Sequence, residues 1–292
     1  MGQQLIDDWN MNLPAFVTKR LASLDQPDPE SIAIAMRQFY ERPIRFFRSF
    51  IGADLHYHLG HFPSKDVSLN QGMRNAVDAL VAVAEGVAFH PRILDIGCGW
   101  GGPADQLITR LGASLVCMTI SSRQACFTRR RLRRSNAKVY ELDIEHDSLP
   151  ELEPFDIIWV YESLEHMVDP GRVLRLLRSL ILPNGKLLIA TSCSGNAADT
   201  QLYSTHLGVQ PLGTMEHLGK LLIENGWYPE KIVDCTKITL PGWEKWRVGL
   251  RNMRGGKFWQ EAERLEMEYN VAEQLYAVSH LRSVQLMASP WK

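Results

Sequence analysis

Between positions 92 and 102 the chain reads Arg-Ile-Leu-Asp-Ile-Gly-Cys-Gly-Trp-Gly-Gly, and few folds accommodate such a run. Ile93, Leu94 and Ile96 have the unbroken apolar character of a strand buried on both faces. Gly97, Gly99, Gly101 and Gly102 then allow a tight turn in which a ligand can approach bare backbone. The stretch 103–111 reads as the helix that follows, and its N-terminus offers N–H donors. Strand, glycine turn and helix together make a nucleotide cradle. An acid, Asp95, sits two residues before the first glycine.

The neighbouring sequence repeats this unit. Apolar strands are expected at 92–97, 114–120, 138–143, 155–160 and 185–190, with helices at 103–111, 122–134 and 170–181. Such alternation specifies an α/β fold with a doubly wound parallel sheet; with two further strands near the end of the chain it is expected to be Rossmann-like, mostly parallel and seven-stranded. Its ligands bind at the carboxyl ends of the strands. Upstream, helical spacing is expected at 6–17, 29–40 and 44–51, and a capped helix at 68–84. After Thr191 a polar loop at 192–200 precedes a helix at 215–226, a strand at 231–238, a helix near 259–280 and a strand at 282–288. The expected division is an N-terminal helical cap at 1–70, a ligand-binding core at 71–192, and helical insertions with the last two strands at 193–292.

Composition narrows the function class. With 45% hydrophobic residues, 22% charged residues and a net charge of −1, the chain has no bulk attraction for nucleic acid or anionic membrane. No apolar run approaches the ~18 residues of a membrane span. The five cysteines (Cys98, Cys117, Cys126, Cys193 and Cys235) are scattered, as reduced thiols of a cytoplasmic protein would be. Neither a nucleic-acid partner nor membrane insertion is expected, and a homodimer is left open.

The glycine turn alone does not choose its nucleotide. A dinucleotide enzyme wants an acid at the end of the next strand, about 20 residues on, for the ribose hydroxyls. Here that position reads Thr119-Ile-Ser-Ser-Arg-Gln124, without an acid. The Asp-x-Gly-x-Gly-x-Gly pattern instead resembles motif I of class I S-adenosylmethionine methyltransferases. The Thr-Ile-Ser-x-x-Gln stretch resembles one branch of them, the cyclopropane fatty acid synthases and their tocopherol-type relatives. By that resemblance Asp95, Gly97, Cys98, Gly99 and Gly101 hold the donor, and Thr119, Ile120 and Gln124 line its ribose and methionine side. Asp143 would accept from the adenine amino group while Ile144 packs on the ring. The loop Tyr57-His-Leu-Gly-His-Phe62 is similar to a loop of that branch whose tyrosine covers the donor. This brings Tyr57 and His58 to the site, with Tyr161 at the end of the fourth strand. Cyclopropane synthases carry a cysteine at the third position of the loop. Leu59 stands there in this chain and argues against cyclopropanation.

The segment Val160-Tyr-Glu-Ser-Leu-Glu-His-Met167 resembles a motif of small-molecule methyltransferases. Methyl transfer is an in-line displacement for which the protein chiefly aligns the partners. A base is needed when the nucleophile carries a proton, and histidine titrates in the right range. His166 is therefore the expected base, with Glu165 and Glu162 next, and O-methylation of a small specialised metabolite is the favoured reaction. C-methylation of an isoprenoid or other apolar acceptor, or lipid modification of the cyclopropane-synthase type, are the alternatives. His56, His58 and His61 lack a nearby cysteine or carboxylate, so no metal is expected. Phe46, Phe47 and Phe50 read as packing of a helical cap on the core, with an aromatic wall of a substrate pocket as the functional alternative; together with Trp243, Trp246 and Trp259 they would suit an apolar acceptor. Arg129-Arg-Arg-Leu-Arg-Arg134 reads as a solvated helix face, with docking to an acidic carrier as its functional alternative.

Overall fold

The structure, a computed structural model, describes residues 29–84, 86–196 and 212–291. The expected amphipathic segment at 6–17 and part of the polar loop after Thr191 lie outside these residues.

Among the described residues three helices come first: α1 (Pro29–Tyr40), α2 (Ile44–Ile51) and α3 (Leu69–Val83). Ser68 caps α3 by accepting from the Gln71 N–H. The core then runs β1 (Arg92–Ile96), α4 (Gly102–Leu111), β2 (Ser114–Thr119), α5 (Ser122–Arg131), β3 (Ala137–Glu141), β4 (Phe155–Tyr161), α6 (Pro170–Leu180) and β5 (Ile181–Ser194). The end of the chain adds α7 (Met215–Glu224), β6 (Trp227–Asp234), α8 (Thr236–Arg251), α9 (Trp259–Ala277) and β7 (Leu281–Pro290).

The sheet has seven strands in the order β3-β2-β1-β4-β5-β7-β6. The first five are parallel, and β7 runs antiparallel between β5 and β6. Chain order reverses between β1 and β4, where Asp95 is in register with Trp159. That reversal opens the crevice in which a doubly wound sheet holds its ligand.

Three differences from expectation have physical causes. Strand β5 begins at Ile181, so the Pro183-Asn-Gly185 turn is a bulge inside a longer strand. The register passes from Phe155 opposite Ile181 to Ile157 opposite Lys186. Strand β6 lies at Trp227–Asp234 and not at 231–238. Trp227 is fully buried and donates its indole N–H to Leu174 O at 2.9 Å, which starts the strand early. Asp234 then accepts from the Thr236 N–H at 2.9 Å and turns Cys-Thr-Lys-Ile into the entry of α8. That helix has no signal in the chain because Pro241 lies within it, where proline lacks the N–H a helix interior needs.

Helices α2, α8 and α9 share one aromatic core with Trp100 of the glycine turn. Phe46, Phe47 and Phe50 form the buried face of α2 and meet Trp243, Trp246, Tyr269 and Tyr276. Each such side chain removed from water contributes about 1.5–3 kcal/mol. This cluster fastens the N-terminal and C-terminal helices to each other above the sheet. Among the described residues no helix is long and apolar enough to cross a membrane.

Candidate active site

The glycine turn has the conformation its composition demands. Gly97 has φ +80°, and a Cβ on it would sit 2.5 Å from Cβ of Ser163. The Gly97 and Cys98 N–H groups both donate to Met118 O at 2.9 Å, which ties the turn to the end of β2. Gly99, at φ +52°, has only Gln124 Nε2 and Gly97 O at 4.0 Å on its open side. This is bare backbone facing free space. Gly101 shapes the same turn against Thr128 but lies off the cavity wall. A Cβ on Gly102 would meet His56 Cδ2 at 2.6 Å, so the histidine loop is seated on the start of α4.

A cavity of about 820 Å³ opens from this turn. Its wall includes Tyr57, His58, Asp95, Gly97, Cys98, Gly99, Thr119, Ile120, Gln124, Asp143, Ile144, Tyr161, Glu162 and His166. Asp95 is 2% exposed and its Oδ2 has no partner. Burial pushes its carboxyl up to about 7. An orphaned buried carboxylate beside a glycine turn suits a ligand bearing a cationic nitrogen. Thr119 Oγ1 donates to Gln124 Oε1 at 2.7 Å, leaving the Gln124 amide N–H groups directed at the turn. The residues around the turn therefore fit a nucleoside carrying an ammonium group.

Two charged residues, Arg37 of α1 and Glu41 just after it, reach the strand ends. Glu41 accepts from Ser121 Oγ at 2.7 Å at the end of β2, the place where no acid occurs locally in the sequence. Arg37 Nη2 lies 3.1 Å from Asp143 Oδ2, which also meets His146 Nδ1 at 3.1 Å. Asp143 Oδ1 accepts from the Glu145 N–H at 3.0 Å.

In the histidine loop, His58 Nδ1 lies 3.0 Å from Leu59 O, so Nδ1 donates and Nε2 accepts from His56 Nδ1 at 3.0 Å. Burial holds both rings neutral, lowering His56 to about 2 and His58 to about 4. Tyr57 Oη pairs with Tyr269 Oη on α9. Among the described residues no cluster of histidine, cysteine and acid is arranged to hold a metal ion.

The stretch after β4 carries the candidate base. Tyr161 Oη accepts from Gln285 Nε2 at 3.0 Å, and its ring meets His58 edge-on at 4.5 Å. Glu162 has φ +48°, a conformation rare outside glycine. Its Oε1 accepts the Leu59 N–H at 2.8 Å. Desolvation, then the nearby Glu165, push its carboxyl well up. Glu165 is not part of the cavity wall; it accepts from Thr191 Oγ1 at 2.8 Å, with burial raising it to about 7. His166 is lowered to about 4 by burial, and its Nε2 lies 3.3 Å from Tyr40 Oη. Tyr40, Arg37 and Met36 of α1 also line the cavity, and no spacing in the sequence points to them.

The aromatic side chains follow the core-packing reading and not the pocket-wall alternative. Phe46, Phe47, Phe50, Trp243 and Trp246 are buried in the core between the helices, and none lines the cavity. Trp259 is likewise off its wall and lies under Arg254 at 5.5 Å. An amphipathic helix first has to bury its apolar stripe, and here the partner is another helix. The arginine run is partly structural too. Arg131 bonds Asp105 at 3.1 Å and Asp54 O at 2.8 Å, and Arg129 donates to Val139 O at 3.0 Å.

Comparison with known proteins shows the family. Over 210 residues the chain is 28% identical to 27-O-demethylrifamycin SV methyltransferase of Amycolatopsis mediterranei, covering 66% of this chain and 74% of that protein. It is 30% identical over 161 residues to methyltransferase GfsG of Streptomyces halstedii, covering 52% of this chain and 55% of that one. The mycolic acid cyclopropane synthase CmaA1, solved with S-adenosylhomocysteine and CTAB, superposes with a TM-score of 0.79 at 16% identity, over 91% of this chain and all of the other. Residues 28–218 match the family described as mycolic acid cyclopropane synthetase. The chain belongs to that family and is an S-adenosylmethionine-dependent methyltransferase.

Proposed function

We propose that this enzyme methylates a hydroxyl group of a small organic acceptor, a specialised metabolite. The observation that carries the reading is a single cavity whose wall joins the glycine turn and Asp95 to His166. The likeness to a methyltransferase named for an O-demethyl rifamycin supports it. The free cysteines, four buried and Cys126 exposed, suit a reducing compartment such as the cytoplasm.

Bound S-adenosylmethionine supplies an electrophilic methyl on a sulfonium sulfur. In this reading Asp95 takes the ammonium group of the donor, and the open backbone at Gly99 lies along its methionine portion. Thr119, Ile120 and Gln124 take the ribose, which hydroxyl and amide groups can bind without a carboxylate. Asp143 and Ile144 take the adenine. A carboxylate has about four lone-pair sites. Arg37, His146 and the Glu145 N–H use three of them, leaving one for an amino group. Tyr57, His58, Cys98 and Tyr161 close the site around the donor, while Gly101 holds the turn. His166 serves as the base for the acceptor hydroxyl, Glu162 fixes the histidine loop, and Glu165 supports the turn from behind.

Two features favour simple methyl transfer over cyclopropanation. Position 59 offers no thiol, and its backbone N–H is already taken by Glu162. The test is calorimetry with S-adenosylmethionine and S-adenosylhomocysteine, followed by assay of a panel of phenols and hydroxylated polyketides. Binding and transfer to oxygen are expected. Failure to bind either nucleoside at high micromolar concentration would overturn the reading.

A further inference from the structure

We propose that Tyr40 is a catalytic residue, the group that meets the acceptor hydroxyl and passes its own proton to Nε2 of His166. The proposal rests on the O-methylation reading above.

The argument starts from the imidazole. His166 Nδ1 is buried and has no partner, so it offers no route to the cavity. Nε2 faces the Tyr40 hydroxyl at 3.3 Å, and Tyr40 is on the cavity wall. With Nδ1 unreachable and Nε2 paired to the Tyr40 oxygen, an acceptor inside the cavity reaches the base through that hydroxyl. A hydroxyl can accept one hydrogen bond while donating another, which an imidazole nitrogen cannot.

The tyrosine is held where this requires. It ends α1, and its carbonyl accepts from Ser121 Oγ at 3.2 Å. The next residue, Glu41, accepts from the same hydroxyl at 2.7 Å and meets Arg123 Nε at 3.5 Å. The Tyr40 ring stands edge-on to Phe39 at 5.5 Å, Tyr57 at 6.3 Å and His166 at 6.1 Å. Backbone and ring are thus both fixed, and the hydroxyl is the part left to face the ligand.

The steps balance. The acceptor O–H bond breaks as its proton joins the Tyr40 oxygen, while the Tyr40 O–H bond breaks as its proton joins Nε2. The acceptor oxygen uses the freed pair to bond the methyl carbon, and the C–S pair stays with sulfur. The positive charge of the sulfonium is thereby replaced by that of the imidazolium. A free tyrosinate never forms, in keeping with a phenol held well up by desolvation and by the neighbouring Tyr57, Glu165 and Glu162.

The experiment compares wild type with Tyr40→Phe, His166→Ala and the double variant, using phenols that span a range of acidity. Tyr40→Phe keeps the ring and should lower transfer to weakly acidic phenols by about 10²–10⁴-fold. The defect should shrink with nitrophenols already ionised in the assay, and the double variant should fall no further than the worse single one. An equal defect for every phenol would overturn the relay, as would unchanged transfer in Tyr40→Phe. A second arm needs no turnover. The ¹⁵N resonance of His166 Nε2, recorded with S-adenosylhomocysteine bound, should report an accepted hydrogen bond in wild type that Tyr40→Phe removes. An identical Nε2 shift in the two proteins overturns the pairing even if no acceptor is found. Absence of transfer by wild type across the panel would instead overturn the O-methylation reading.

Discussion

The Leu59 N–H donates to the Glu162 carboxylate across 2.8 Å, joining the histidine loop to the residue that follows β4. Glu162 occupies the left-handed region at φ +48° and is buried with its carboxyl pushed well up. Both features cost folding free energy, and strain of this kind persists where function requires it. Replacing Glu162 by glycine relieves the backbone, for which about 1 kcal/mol is typical, and removes a desolvated acid. The Leu59 N–H left unpaired costs about 1–3 kcal/mol, so the expected outcome is a Tm close to wild type at pH 8, with methyl transfer reduced. A Glu162→Gly protein that is both less stable and fully active would reverse this account.

Asp95 has an unpartnered Oδ2 and a carboxyl raised to about 7 by burial. If the carboxylate pairs with the ammonium group of the donor, it must ionise on binding. Affinity for S-adenosylhomocysteine should then strengthen as pH rises from 6 to 7, approaching tenfold per unit below the carboxyl's own range. Calorimetry in buffers of different ionisation enthalpy should register the proton released. Asp95→Asn should bind more weakly and lose this dependence between pH 6 and 7.

Phe62 of the histidine loop is wedged between two helices. A Cβ on Gly72 of α3 would collide with its ring, and one on Gly242 of α8 would stand 2.9 Å from Cε2. The ring cannot retreat from one helix without meeting the other. Gly72→Ala gains about 1 kcal/mol of helix propensity but incurs about 1–3 kcal/mol of overpacking. A net loss is expected, lowering Tm by about 2–4 °C for each kcal/mol. Combining it with Phe62→Leu should return part of that loss in thermal melts.

The parallel half of the sheet was legible because β1, β2 and β4 are buried on both faces and are therefore apolar almost without interruption. The glycine turn was legible because its backbone allows few other residues. Helix α8 was not, since Pro241 reads locally as a stop. The aromatic residues of α2 and α8 were legible as buried but not as to what buries them. Periodicity marks an apolar face without naming its partner, and the partner proved to be the opposite helix. Glu165 and His166 are adjacent in the chain, yet one turns toward Thr191 and the other toward Tyr40. Both lie in a short 3₁₀ turn at Leu164–His166 that points them apart, and only tertiary structure resolves such a divergence. Tyr40 had no signal at all, being one aromatic residue in an aromatic segment.

The buried histidines and buried acids pull stability in opposite directions as pH falls. Burial lowers His58, His61 and His166 to about 4 and His56 to about 2. Below pH 6.5 the unfolded chain therefore takes up protons on these rings that the folded chain refuses, and stability is lost on acidification. Asp95 and Glu165, raised to about 7, and Glu162, also raised by burial, behave in the opposite sense. The folded chain holds their protons well above the range in which the unfolded chain takes them up, so they add stability as pH falls from 7 toward 4. Four groups oppose three, and wild type should lose stability only gradually over this interval. Asp95→Asn removes one opposing group while keeping the shape of the side chain. Its unfolding free energy should fall more steeply than wild type by about 1.4 kcal/mol per pH unit between pH 6.5 and 4. The variant should also be the more stable protein at pH 8, where the wild-type carboxyl is ionised without a partner. Urea unfolding at pH 5, 6, 7 and 8 measures both effects, and parallel curves for the two proteins would show that Asp95 does not hold a proton in the folded chain.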